Sequence, residues 1–130
     1  MQSTFSPSAL AAVAVGGAAG SVARYVLGMM VQRLGSGLPF GTLFVNVTGS
    51  FALGVLATWL FTRGTSPEVR LLLTIGVCGG YTTFSTFAYE SALMLQDGRL
   101  ARFALYAVLS VTLTIAAMFA GFGTARAMLR

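Results

Sequence analysis

The sequence is poor in the residues from which most catalytic and metal sites are built. It contains no histidine, a single cysteine (Cys78) and only 3 acidic residues among 130. A lone cysteine cannot form a disulfide within the chain, and without histidine no Ser/His or Cys/His catalytic pair can be assembled. Metal sites built on clusters of histidine and cysteine are excluded on the same ground. We therefore expect a protein that is not an enzyme.

Charge is as scarce as these reactive side chains. Charged residues make up 8% of the chain and hydrophobic residues 56%, with a mean hydropathy of +0.84, whereas soluble domains carry roughly a quarter charged residues. A bilayer core requires about 20 apolar residues per helix. Four stretches qualify, which predicts an all-α membrane protein with a single transmembrane domain over residues 1–130. The predicted spans are about 10–31, 40–62, 71–95 and 103–125.

The remaining segments are short and give no sign of another domain. The first apolar stretch has no Lys or Arg before it and continues to Val31, which is unlike a cleaved signal peptide, so we expect it to remain as a span. The connections carry Gly, Pro and an Asp-Gly pair typical of turns. A nucleic-acid partner is not expected.

The basic residues, all arginines, divide almost evenly between the two sides of the predicted membrane domain. An excess of basic residues in the loops of one side normally fixes the orientation of a membrane protein. Here the chain could insert both ways and pair as an antiparallel homodimer, although the count leaves a fixed orientation equally open. One side holds Arg63, Arg70, Arg126 and Arg130; the other holds Arg33, Arg99 and Arg102, with Arg24 as a fourth if it reaches that side.

Small and polar side chains recur every four residues along the first, second and fourth spans, which places each set on one helical face. In the first span we expect Gly16 and Gly20 to allow close helix packing. The amide of Asn46 requires either another helix or a wet path for its hydrogen bonds. The other two stripes therefore predict an ion pathway or interhelical hydrogen bonding. Their members are Thr42, Asn46, Ser50, Gly54 and Thr58, and Tyr106, Ser110, Thr114 and Met118.

Two ionisable residues, Arg24 and Glu90, fall within the predicted spans. An arginine at the centre of a membrane helix costs about 2.5 kcal/mol or more on insertion. Arg24 therefore either extends to the interface or has a functional role, and in both cases it adds positive potential near one mouth. Cation pathways and proton-coupled transporters use acidic groups at depth. Their near absence, beside many hydroxyl donors, favours a small anion as the transported species.

The segment GGYTTFSTFAYE, residues 79–90, combines two unusual patterns. Phe84 and Phe87 lie three residues apart on one helical face and can offer the positive edges of their rings to one anion, although apolar packing is the ordinary explanation of such a pair. Gly79 and Gly80, followed by several hydroxyl residues, predict a break near the middle of the third helix. A break frees backbone carbonyls that can bind a cation when they are buried in protein.

These motifs resemble those of the Fluc, or CrcB, family of bacterial fluoride channels. GGYTTFSTF is similar to the family signature GG-x-TTFSTF, GTLFVNVTGSFALG to its second-span G-T-x-x-x-N-x-x-G, and GAAGSVARY to its first-span G-x-x-x-R-Y. In the fourth span, Tyr106, Ser110 and Thr114 match the family's polar track. The resemblance covers all four spans. A mild departure is Tyr81, where the family often has an aliphatic residue.

The resemblance implies passive, fluoride-selective efflux from the cytoplasm across the bacterial inner membrane, which reduces fluoride toxicity. It also implies an antiparallel, dual-topology homodimer with two pores, so the expected partners are a second copy of the chain, fluoride and membrane lipid. By position, Asn46 would supply an amide donor, and Phe84 and Phe87 ring edges. The implied polar track consists of Tyr106, Ser110 and Thr114.

The resemblance further implies a structural Na⁺ that is not transported and lies at the centre of the dimer. The backbone carbonyls of Gly79 and Thr82 in each copy would bind it. Other residues are candidates for a vestibule or for support of the pore. They are Arg24, Thr42, Thr83, Ser85 and Glu90.

Two other functions remain compatible with four short membrane helices. A small multidrug/proton antiporter has similar length, but it requires a titratable glutamate in the first span, where this chain has Arg24. A non-transporting membrane subunit would use the polar stripes for assembly alone. A single cavity that receives Asn46 and both phenylalanines would favour a transport pathway over assembly.

Overall fold

The computed structural model describes residues 5–130, and four long helical stretches account for most of them. Each is long and apolar enough to cross a membrane. The first is α1 (Pro7–Gln32), the second is α2 (Phe40–Thr62), and the last is α6 (Leu100–Met128). The third stretch, Pro67–Gln96, consists of α3 (Pro67–Arg70), a π-helix (Leu71–Cys78), α4 (Gly79–Tyr81) and α5 (Phe84–Gln96).

The predicted all-α architecture of four membrane-spanning helices with a broken third helix is therefore confirmed. The second helix has the predicted bounds, 40–62, and the other three extend slightly beyond theirs. Their ends follow from local sequence. The Ser6 hydroxyl accepts from the amide of Ala9 at 3.2 Å and precedes Pro7, a favoured first residue of a helix. Gly98, in the Asp-Gly turn, has a φ of 70°.

Glycines bring α1 into backbone contact with the third span. A Cβ atom on Gly16 would lie 2.3 Å from the carbonyl oxygen of Leu72, and one on Gly20 would lie 2.2 Å from that of Val77. Both distances are far below van der Waals contact, so no larger residue fits without moving a helix. The small-residue packing predicted for the first span is confirmed. Membrane helices associate through such close approaches because the bilayer provides no hydrophobic driving force between them.

A second glycine contact joins α2 to α6. A Cβ atom on Gly54 would lie 2.6 Å from the carbonyl oxygen of Met118, and one on Gly121 would lie 2.4 Å from that of Phe51. Gly54 belongs to the polar stripe of the second span. That stripe therefore serves helix packing at this depth, one turn beyond Ser50.

The break lies at Thr82 and Thr83, directly after the glycine pair and near the middle of the third span, as predicted. Gly79 is helical, with φ −65° and ψ −38°, and Gly80 packs on α1, where its Cβ would lie 2.6 Å from the carbonyl oxygen of Gly17. The chain leaves the helical conformation at Thr82 (φ −85°, ψ 158°) and Thr83 (φ −153°, ψ 117°). The adjacent glycines are thus explained by close packing, while the break lies at the two threonines that follow.

We predict that Gly20→Ala destabilises the protein by about 1–3 kcal/mol, the usual cost of forcing extra volume into a packed interior. Thermal unfolding of the purified protein in detergent measures this. Gly17→Ala is the matched control, because a Cβ atom there would meet nothing within 4 Å. Equal melting temperatures for the two variants would contradict the packing role assigned to Gly20.

Candidate functional site

The side chain of Asn46 on α2 forms hydrogen bonds with the backbone at the break in the third span. Its Nδ2 donates to the carbonyl oxygen of Thr83 at 2.9 Å, and its Oδ1 accepts from the amide of Thr83 at 2.7 Å. One side chain thus replaces both backbone partners that a continuous helix would give to this residue. In a bilayer such replacement is required, because an unpaired backbone group there costs several kcal/mol.

The hydroxyl of Thr83 starts α5 on the other side of the break. Thr83 Oγ1 accepts from the amide of Thr86 at 3.2 Å, which is the N-cap bond of the helix, and it donates to Thr86 Oγ1 at 3.0 Å. The side chain and amide of Thr82 both donate back to the carbonyl oxygen of Cys78, each at 3.0 Å. The two threonines therefore terminate one helix and begin the next.

The replaced hydrogen bonds leave two backbone carbonyl groups without their helical amide donors. In a continuous α-helix the amide of Thr83 would donate to the carbonyl of Gly79, and the amide of Thr86 to that of Thr82. Here the first amide donates to Asn46 and the second to the Thr83 hydroxyl. The carbonyls of Gly79 and Thr82 are the two that the family resemblance associates with a cation.

A cavity of about 230 Å³ lies beside the break, between α2, α5 and α6. It opens at the surface of the chain, since the Phe84 side chain in its wall is 78% exposed. The structure thus brings together, around one cavity, every predicted pore residue except Tyr106. Its lining includes Asn46, Ser50, Thr82, Thr83, Phe84, Phe87, Ser110 and Thr114.

The polar groups that line this cavity differ in whether they retain a hydrogen-bond donor for a ligand. Ser110 Oγ is buried and has no hydrogen-bond partner among residues 5–130. Thr114 Oγ1, in contrast, donates to the carbonyl oxygen of Ser110 at 2.6 Å. Asn46 uses one of its two amide hydrogens on Thr83 and retains the second. Ser110 and Asn46 therefore each keep a donor that the break and the helices leave unused.

A row of aromatic rings extends from the cavity toward Tyr106. The centroids of Phe84 and Phe87 are 5.4 Å apart, and those of Phe87 and Tyr106 are 5.1 Å apart, with the planes tilted by 42° and 49°. Both centroid distances lie in the range of interacting aromatic pairs. Tyr106 is fully buried, so it forms the inner end of this row and is not part of the cavity wall.

Glu90 accepts hydrogen bonds from Tyr106 and Thr42 in a partly buried network. Its two carboxylate oxygens accept from Tyr106 Oη at 2.6 Å and from Thr42 Oγ1 at 2.8 Å. These bonds join α5 to both α6 and α2. They also turn the Tyr106 hydroxyl proton toward Glu90, which the sequence did not predict because the two residues lie on different helices.

A second cavity, of about 400 Å³, lies among α1, α2 and α5. Thr83 lines both cavities, and Glu90 also lines a third one near Arg99 and Arg102. Ser85, one of the predicted vestibule and supporting residues, does not line the second cavity. It is exposed and lies 3.3 Å from the Thr83 hydroxyl. The predicted residues that do line the second cavity are Arg24, Thr42, Thr83 and Glu90.

Sequence reasoning missed Gln32, which closes the loop between α1 and α2. Its Nε2 donates to the carbonyls of Gly35 and Leu38 at 2.9 and 3.2 Å, and its Oε1 accepts from the amide of Gly41 at 3.0 Å. The glutamine lies at the last position of α1 and lines the second and third cavities. A long polar side chain at the end of a helix, before a Gly-rich loop, is the signal that could have revealed it.

The family profile described as "CrcB-like protein, Camphor Resistance (CrcB)" matches residues 11–122. The chain belongs to this CrcB family. The match extends from within α1 to within α6 and includes Asn46, the break and both phenylalanines. The resemblance inferred from the sequence motifs is confirmed.

Relatives in this family are similar to the chain over nearly their whole length. One from Rhizobium meliloti is 50% identical over 118 residues, which is 89% of this chain and 94% of the relative. One from Caulobacter vibrioides is 52% identical over 117 residues (88% and 92%), and one from Chlorobaculum tepidum is 46% identical over 110 residues (84% and 87%). Each is named a fluoride-specific ion channel, so the expectation that this is not an enzyme is confirmed as well.

We predict that Asn46→Ala destabilises the protein by about 1–3 kcal/mol or more, because the amide and carbonyl of Thr83 would both lose their partner inside the membrane domain. The measurement is thermal unfolding in detergent. Ser50→Ala is the control, since Ser50 lines the same cavity without a role in the break. An Asn46→Ala protein as stable as Ser50→Ala would contradict the conclusion that the Asn46 amide stabilises the break.

Proposed function

We propose that the chain forms a fluoride channel of the bacterial inner membrane through which fluoride leaves the cytoplasm passively, reducing its toxicity. The observation that carries the proposal is the cavity beside the break. It gathers an amide, a free hydroxyl and two aromatic rings at one place in a membrane helix bundle. The names of relatives that are about half identical over nearly the whole chain support the same function.

The chemistry of the cavity suits a small, strongly hydrated anion. A selective pore must replace the water shell of its ion and still bind weakly enough to release it. Ser110 Oγ and the second amide hydrogen of Asn46 are neutral donors that no group of the described chain occupies. The rings of Phe84 and Phe87 add positive edges. Neutral groups of this kind replace water without the strong retention that a buried cation would cause.

We infer that the functional unit is an antiparallel, dual-topology homodimer with two pores. The cavity is incomplete in one chain, because Phe84 in its wall is 78% exposed. A second copy on this face would close it and remove the ring from lipid. The nearly even division of the arginines between the two ends is compatible with insertion in both orientations.

The same break suits a structural Na⁺ at the centre of the dimer. The carbonyls of Gly79 and Thr82 have lost their usual amide donors, and freed carbonyls buried in protein are suitable ligands for such an ion. Two copies would provide four of these oxygens. When bound, the ion supplies a fixed positive charge near both anion paths and joins the two broken helices.

We assign the second cavity as the vestibule of the channel. Arg24 lines it without an ion-pair partner within 4.0 Å in the part of the chain that the structure describes, so its charge is available to attract anions. The same residue argues against the antiporter alternative, which requires a glutamate in the first span. Tyr106 and Thr42 are assigned to support of the path through their bonds to Glu90.

The decisive experiment is ion efflux from liposomes that contain the purified protein. We expect rapid fluoride loss without an imposed proton gradient and little chloride loss. Fluoride and chloride electrodes measure both. Similar rates for the two anions, or fluoride loss that requires a proton gradient, would overturn the channel proposal. Liposomes without protein provide the baseline.

We further predict that Phe84→Ile slows fluoride efflux about tenfold or more, which corresponds to an increase of roughly 1.4 kcal/mol in the transport barrier. Isoleucine keeps the apolar volume but removes the ring edge. Phe119→Ile is the matched control, since Phe119 is an exposed member of an edge-to-face pair with Phe122 on α6, outside the cavity. Equal efflux by the two variants would remove Phe84 from the proposed path.

A further inference from the structure

Tyr81 is the one side chain at the break that the proposed function does not use. It is the last residue of α4, directly before the extended Thr82. Its hydroxyl lies 2.9 Å from Thr48 Oγ1 on α2. The Thr48 hydroxyl already donates its proton to the carbonyl of Phe44 at 2.8 Å. Because a threonine has a single hydroxyl proton, Tyr81 is the donor of the bond between them.

The surface of α2 is shaped to receive this tyrosine. A Cβ atom on Gly49 would lie 2.8 Å from Tyr81 Cδ1 and 2.4 Å from Thr82 Cγ2. Only glycine at this position lets the tyrosine ring and the first residue of the break lie directly on the backbone of α2. The position of Tyr81 is therefore fixed by shape as well as by the hydrogen bond.

The break is consequently attached to α2 on both of its sides. Asn46 binds the backbone of Thr83, which follows the Thr82 carbonyl. Thr48 binds the side chain of Tyr81, which precedes it. The Thr82 carbonyl, one of the two freed oxygens, lies in the chain between these two attachments, and that of Gly79 lies two residues before Tyr81.

We propose that Tyr81 is a positioning residue for the cation site, and that its bond to Thr48 holds the freed carbonyls in the arrangement that binds Na⁺. This inference rests on the proposed function, which includes that ion. Tyr81 does not touch the ion in this role. It acts through the backbone, by keeping residues 81 and 82 against α2.

The bond between Tyr81 and Thr48 preorganises the cation site, because it holds the carbonyl groups in the binding geometry before the ion arrives. When only a fraction of molecules has the binding geometry, the apparent affinity falls by that fraction. Removing the hydroxyl of Tyr81 lets the break sample other conformations and lowers the competent fraction. The loss should be about three- to tenfold, the factor that one hydrogen bond contributes to an equilibrium.

The test is a sodium titration of thermal stability with the purified, full-length protein in detergent. Sodium chloride is exchanged for N-methylglucamine chloride at constant ionic strength, and the sodium concentration that gives half of the stabilisation is determined. A ligand that binds only the folded state raises the melting temperature with its concentration. We expect Tyr81→Phe to raise this half-point about three- to tenfold.

The other variants separate positioning from general stability. Thr48→Val should shift the half-point like Tyr81→Phe, the double variant should shift it no further, and Thr48→Ser, which keeps the hydroxyl, should restore it. Tyr89→Phe is the matched control because Tyr89 is 65% exposed on α5. If Tyr81→Phe does not fold, Thr48→Val decides alone.

Two results would overturn the inference. One is a lower melting temperature for Tyr81→Phe and Thr48→Val at every sodium concentration with an unchanged half-point, since that marks a merely structural bond. The other is a wild-type protein whose stability does not depend on sodium. In that case fluoride efflux from liposomes still reports on the channel separately, because it tests the anion path and not the cation site.

Discussion

The two hydrogen bonds between Asn46 and the backbone of Thr83 are the constraint on which the site depends. A membrane helix can be interrupted only where another group satisfies its exposed amide and carbonyl. Asn46 supplies both functions from one side chain, at 2.7 and 2.9 Å. The extended conformation of Thr82 and Thr83, the freed carbonyls and the start of α5 all follow from this pairing. So does the position of Phe84, the first residue of α5.

The side-chain amide of Asn46 contributes to both the proposed cation site and the proposed anion site. Toward the third span it leaves the carbonyl of Gly79 without its helical donor, and it retains a free amide hydrogen in the cavity that Ser110 also lines. The proposed cation and anion sites therefore share one structural element. Glu90 has a comparable bridging role on α5, where its carboxylate joins Tyr106 and Thr42 across three helices.

Composition and spacing predicted the four spans, the small-residue packing of the first helix and the presence of a break. They could not tell which residues of this segment form the break, because two adjacent glycines are typical of both flexible and closely packed backbone. Only the contact with the neighbouring helix decides between the two. Gly80 packs on Gly17, so the glycines remain helical. The partners of Asn46 and Glu90 could not be predicted either, since each bond crosses between helices that are far apart in sequence. The functional roles of the cavity residues stay predictions.

The interruption also divides the third span into two separately anchored segments. The π-helix and α4 pack on α1 through Gly16, Gly20 and Gly80, whereas α5 packs on α6. Only the backbone torsions of Thr82 and Thr83 connect the two segments. The phenylalanines and the Gly79 carbonyl therefore belong to separately anchored segments of the same span. Because Asn46 and Thr48 attach this junction to α2 on both sides, the spacing between the proposed anion and cation sites is set by α2.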